Sequence, residues 1–153
     1  MNPGTAGLIA RPPLLFLGAL LIGFILDRLL GLPFPAQGIH WIIGGPLMLI
    51  GLALATAGIR NFTRAGTPVR SIEPTRALVT SGIHGLTRNP IYLGMFLLYA
   101  GIGSAAQSSW TLLLTLPLAV TMRYGVVARE ETYLAGRFGD AYRNYQTRVG
   151  RWL

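Results

Sequence analysis

The sequence predicts an all-α polytopic membrane protein with about four transmembrane helices, an ordered loop and an amphipathic helical tail. Three observations carry that prediction. Of the 153 residues, 52% are hydrophobic and only 12% charged, with a mean hydropathy of +0.51, far too apolar for an ordinary soluble domain. The ionised residues leave long uncharged runs at 12–26, 29–59 and 89–122, and a helical span needs about 20 residues. The arginines lie almost wholly between or beyond those runs.

Taken in order, the first span is expected near 12–30, closed by the turn-rich "GLPFPAQG" at 31–38. A cleaved leader is the competing reading of this span, but no small-residue cleavage site follows it and the next turn is rich in proline. The second span is expected near 39–59. "GSAAQSS" at 103–109 divides the third run into a hairpin, giving spans near 90–105 and 109–128. Between spans two and three lies a loop, 60–90, punctuated by proline and glycine and containing a short β-prone "LVT", so it reads as an ordered excursion of the kind that binds ligands. In the tail, 129–153, apolar residues recur at Leu134, Phe138, Tyr142, Tyr145, Val149 and Trp152, a helical stripe. Gly139 followed by Asp140 predicts a break and a fresh helix start, hence two short helices on the membrane surface or folded over the loop.

Twelve of the thirteen arginines flank what would be one side of the membrane, and Arg28 alone falls on the other. Basic flanks stay in the cytoplasm, so both termini, the loop and the tail are expected to be cytosolic. The net charge of +8 then reads as attraction to an anionic bilayer surface rather than to nucleic acid, since no basic nucleic-acid motif with interleaved aromatics occurs. With no cysteine, disulfide and thiolate chemistry are excluded. His40 and His84 are placed on opposite sides, so no metal site is expected. A small transporter needs an ionisable group inside the bilayer; only Asp27 qualifies, and beside Arg28 it reads as an anchor at a helix end.

Polar chemistry is therefore confined to the loop and tail. Pro90 suits the first turn of a helix, with Asn89 as its N-cap. Arg88 beside them is either a residue reaching lipid phosphate or part of a site.

Loop, third span and tail together resemble the integral-membrane methyltransferases that include isoprenylcysteine carboxyl methyltransferase and the phospholipid methyltransferases. The resemblance covers roughly 60–152 and rests on "LVTSGIHGLTRNPIYLG", on "EETYLAGRFGDAYRNYQTRVGRW" and on their spacing. It implies S-adenosylmethionine as cofactor, held between the loop and the nearby ends of the last two spans. The family's cofactor-binding positions fall on Arg76, Ala77, Leu78 and Val79, on His84, on Asn89, Pro90, Ile91 and Tyr92, on Gly101 and Gly103, and on Glu130. Arg88, Asn89 and Glu130 are the catalytic candidates it implies; Asn89 stands where the family has histidine and cannot titrate at neutral pH. The arginine that the prenylcysteine enzymes use for the substrate carboxylate is replaced by Val126, with Arg123 and Arg129 as the nearby substrate-binding candidates. Glu131 is expected at the surface, capping the tail or paired with Arg129 or Arg137. The implied activity is methyl transfer to a hydrophobic small molecule or lipid-like substrate at the cytosolic face. Two alternatives are a true prenylcysteine carboxyl methyltransferase and a non-enzymatic four-span protein with a degenerate site. The oligomeric state is left open.

Overall fold

The computed structural model describes residues 9–35, 38–69 and 75–153; Arg70, counted above among the loop arginines, lies outside them. Six α-helices are present among these residues: α1 (Pro12–Leu30), α2 (His40–Arg64), α3 (Pro90–Ala105), α4 (Ser109–Met122), α5 (Ala128–Phe138) and α6 (Asp140–Arg148). No strand occurs among the described residues, and the β-prone "LVT" at 78–80 is irregular. α1 and α2 are long and apolar enough to cross a membrane, as is the continuous helical path Ser109–Phe138; α3 is shorter and equally apolar. Every one of the four expected spans is therefore a helix. The second extends past its expected end to Arg64, and the fourth does not stop at 128.

That continuation has a specific form. Residues Arg123–Val127 make a π-helical turn that joins α4 to α5 without a break. A π-turn carries one more residue per hydrogen-bonded ring than an α-turn, and here it delivers Glu130 and Glu131 from the end of a span into the polar cap of the molecule. The break expected at Gly139 is present: its φ of 54° and ψ of −127° suit only glycine. α6 then folds back, so that Tyr142, Tyr145 and Val149 are buried against Leu78, Leu134, Ala135 and Phe138. Of the two placements left open for the tail, the fold over the loop is the one adopted.

α2 and α3 run antiparallel with their backbones almost touching. A Cβ on Gly51 would meet Gly94 O at 2.6 Å, one on Gly94 would meet Gly51 O at 2.5 Å, and one on Gly44 would meet Gly101 O at 2.8 Å. Glycines spaced by sevens on α2 (Gly44, Gly51, Gly58) stay on one face and permit this approach, the device by which apolar helices pack without help from water. Gly58 seats against Ile91 and Pro90, which fixes the end of α2 against the start of α3. α1 packs on α4, and Phe16, Tyr99, Leu118, Met122 and Val126 form the buried core between these elements.

The two ends of the bundle differ. At one end α1 finishes beside the start of α4: Asp27 accepts hydrogen bonds from Ser108 Oγ and from Trp110 N (3.3 Å), and Ser108 caps α4 by accepting from Thr111 N at 3.1 Å. Asp27 is thus turned toward the neighbouring helix rather than anchoring its own end with Arg28. At the other end α2 finishes, α3 begins, and the loop, α5 and α6 assemble around them.

Candidate active site

The arginine-rich end encloses a cavity of about 130 Å³, roughly ten times the space one water needs, so it admits a ligand. Its walls come from every element gathered there. α2 contributes Phe62; the loop contributes Ala77, Leu78, Val79 and His84; the start of α3 contributes Arg88 to Tyr92; α5 contributes Glu130, Glu131 and Tyr133; and α6 contributes Tyr142 and Tyr145.

The loop is shaped by side-chain acceptors that replace a sheet or helix. Thr67, buried at the end of α2, accepts from Arg76 N at 2.9 Å and Ala77 N at 3.4 Å, and Tyr133 Oη accepts from Thr75 N at 3.2 Å. Asn61 donates to Ser81 O at 2.8 Å and lies 3.4 Å from His84 Nδ1. The His84 ring stacks at 4.7 Å from that of Phe62, and Tyr145 donates to His84 O at 2.6 Å. His84 is only 2% exposed, and burial pushes its pKa down to about 4, so it is neutral at pH 7.

Two carboxylates face the cavity, each with its own partners. Glu130 Oε1 accepts from the Tyr92 hydroxyl at 2.7 Å. Glu131 Oε1 lies 3.1 Å from Arg88 Nη1, and its two oxygens accept from Arg151 Nε and Nη2 at 2.9 and 2.6 Å. The side chains of Arg88 and Glu131 are 11% and 13% exposed, so this is a desolvated cluster rather than a surface pair. The expected surface partners Arg129 and Arg137 are not those of Glu131. Adjacent helical residues differ by about 100°, yet the cavity spans that angle, with Glu130 on its Tyr92 side and Glu131 on its arginine side. Burial and then the Glu131 carboxylate raise the pKa of Tyr142, while Arg88 opposes both; burial pushes that of Tyr145 up to about 12.

The tail closes the wall. Arg88 N donates to Gly150 O at 3.0 Å, and Asn89 Nδ2 donates to Arg151 O at 2.9 Å. Asn89 occupies the N-cap position of α3 without capping it through its side chain; the amide stitches the tail to the helix instead.

Of the residues implied by resemblance, the structure brings together Ala77, Leu78, Val79, His84, Arg88, Asn89, Pro90, Ile91, Tyr92 and Glu130. It leaves others outside the cavity lining. Arg76 is exposed. Gly101 and Gly103 stand three to four turns further along α3, about 16 Å or more from Pro90, where they pack against Met48 and against Thr111 and Leu112. Arg123 is exposed, its guanidinium 5.5 Å over the Tyr124 ring, and Arg129 is exposed also. Val126 is fully buried in the core and is not among the residues that line the cavity. Sequence reasoning missed Phe62, Glu131, Tyr133 and Arg151; for Tyr142 and Tyr145 the apolar stripe was the available signal.

These features define a class: an integral-membrane helical protein with a largely apolar, aromatic-walled cavity at one end of its bundle that carries two carboxylates and an arginine. The phospholipid methyltransferase family matches residues 39–141, and the chain belongs to that family. An uncharacterised protein of Haemophilus influenzae is 63% identical over 27 residues, a stretch that is 18% of this chain and 43% of that relative's length.

Proposed function

We propose that the protein transfers a methyl group from S-adenosylmethionine to a hydrophobic or lipid-like acceptor at the cytosolic face of the membrane. The observation that carries this reading is the cavity where Glu130 and Tyr92 meet the 77–79 strip and a buried arginine. The donor set suits the cofactor: a carboxylate for its cationic part, aromatic rings for the adenine and sulfonium, and Arg88 for its carboxylate. Arg88 Nε is buried without a hydrogen-bond partner among the described residues, and a buried donor of that kind calls for an acceptor. S-adenosylmethionine supplies an electrophilic methyl group when bound.

The chain's own groups bind, orient and exclude water. Tyr92 directs Glu130 through its hydroxyl, and its ring offers about 0.5 to 2 kcal/mol to a cation over its face. The lid of Tyr142 and Tyr145 keeps the cavity apolar, which favours a displacement that spreads or destroys charge. Alignment in a dry site supplies on the order of 7 to 11 kcal/mol at best. His84 is neutral and engaged by Asn61 and Phe62, so it serves as wall rather than base. Val126 in the core removes the arginine by which the prenylcysteine enzymes would read a carboxylate, which favours a different lipid-like acceptor.

Isothermal titration of S-adenosylmethionine and S-adenosylhomocysteine in detergent tests the reading; heat at micromolar to millimolar ligand is expected, and silence with both sinks it. Tritium transfer from labelled cofactor into membrane lipid extracts then finds the acceptor. The orientation rests on the arginine asymmetry: a cysteine at Ser81 is expected to react with an impermeant maleimide only after lysis.

A further inference from the structure

One carboxylate in the cavity wall serves two guanidiniums. Arg151 grips both oxygens of Glu131, at 2.9 and 2.6 Å, while Arg88 reaches a single oxygen at 3.1 Å. A bidentate fork is the stronger and more directional of the two arrangements. The trio carries a net charge of plus one, and the less satisfied cation is the one lining the cavity, with Nε unpartnered among the described residues. Were Arg151 absent, Glu131 would be left to Arg88 alone and would neutralise it. Among the described residues no further ion pair reaches Arg88, Glu131 or Arg151. Glu130 is turned to Tyr92, and Tyr142, on the same cavity wall, has its pKa raised, by burial first, and stays uncharged at pH 7.

We propose that Arg151 is a positioning residue. By holding Glu131 in a two-pronged pair it keeps that carboxylate from quenching Arg88, leaving Arg88 charged toward the carboxylate at the amino-acid end of the methyl donor. The proposal rests on the S-adenosylmethionine reading and adds to it a division of labour between two arginines 63 residues apart in sequence. It also separates the ligand into two halves, only one of which feels Arg151.

The test compares two probes by titration into the full chain in detergent: S-adenosylhomocysteine, which has the carboxylate, and methylthioadenosine, which has the same nucleoside thioether without the amino-acid end. Arg151→Gln is expected to weaken S-adenosylhomocysteine roughly tenfold and to leave methylthioadenosine unchanged, with Arg151→Lys recovering part of the loss. Removing the quencher as well, in the double variant Glu131→Gln/Arg151→Gln, is expected to restore affinity for S-adenosylhomocysteine toward that of the wild type. Equal losses for both probes, no loss in Arg151→Gln, or a deeper loss in the double variant would overturn the proposal while leaving cofactor binding itself established. Failure of the wild type to bind either probe would remove the methyltransferase reading and this proposal together.

Discussion

Both ends of the bundle place carboxylates where helices meet, and they use them differently. At the Asp27 end the carboxylate accepts from the first residues of α4, Ser108 bridges it to Thr111, and Tyr99 donates to Thr111 O at 2.8 Å; among the described residues only Trp110 Nε1 is buried there without a partner. Apart from that indole, each of these groups answers a need of the fold, since the opening N–H groups of a helix lack partners of their own. At the arginine-rich end two carboxylates and the Arg88 guanidinium line a space instead of filling it, and Arg151 holds one of those carboxylates. An arginine nitrogen is left facing that space unpaired. At the Asp27 end the groups that finish a helix pair with one another, whereas at the arginine-rich end the nitrogen left without a hydrogen bond among the described residues belongs to a charged side chain of the cavity wall.

Breaking the Glu131 cluster should have the largest effect. Glu131→Gln leaves two poorly hydrated guanidiniums facing each other, and removing one partner of a buried pair typically costs about 3 to 5 kcal/mol; thermal melts in detergent should show a clear loss of stability. Acid should weaken the same end by a second route. His84 is held near pKa 4 when folded against 6.5 when not, so the stability it contributes is full above pH 6.5 and is lost as pH falls toward 4, by about 3 kcal/mol at most. His84→Phe, which keeps a ring against Phe62, should flatten that part of the stability profile. Glu130→Gln should leave melting nearly unchanged while weakening S-adenosylmethionine by about 1.5 to 3 kcal/mol, the value of a charge-assisted contact in a dry site. Asp27→Asn should show the reverse pattern on a smaller scale: about 1 kcal/mol of stability lost with the cap and no change in ligand affinity. A drop in cofactor affinity with Asp27→Asn would mean that the two ends are not separate in function.

The spans were legible because hydropathy and uncharged length are local properties, and so was the glycine break at 139, where a single residue type permits the observed backbone. The loop was legible as an ordered excursion but not in its means, since Thr67 and Tyr133 supply acceptors to backbone 9 to 58 residues away. Glu131 was misplaced because its partners are far along the chain: Arg151 is 20 residues on, Arg88 is 43 residues back, and the neighbours Arg129 and Arg137 offered a nearer explanation. Gly101 and Gly103, carried over from relatives as a short motif, lie outside the cavity lining on residues whose visible work is helix packing. The glycines of α2 at intervals of seven were readable and went unread.

The attachment of Gly150 and Arg151 to the start of α3 has a consequence in time. A chain is synthesised from its N-terminus, so the four apolar helices α1 to α4 have been made before residue 150 is added. Until the tail arrives, Arg88 N and the Asn89 amide lack the carbonyls that hold them, and Glu131 lacks its fork. The apolar helices and the tail that completes the arginine-rich cavity are therefore made one after the other in the biogenesis of this protein.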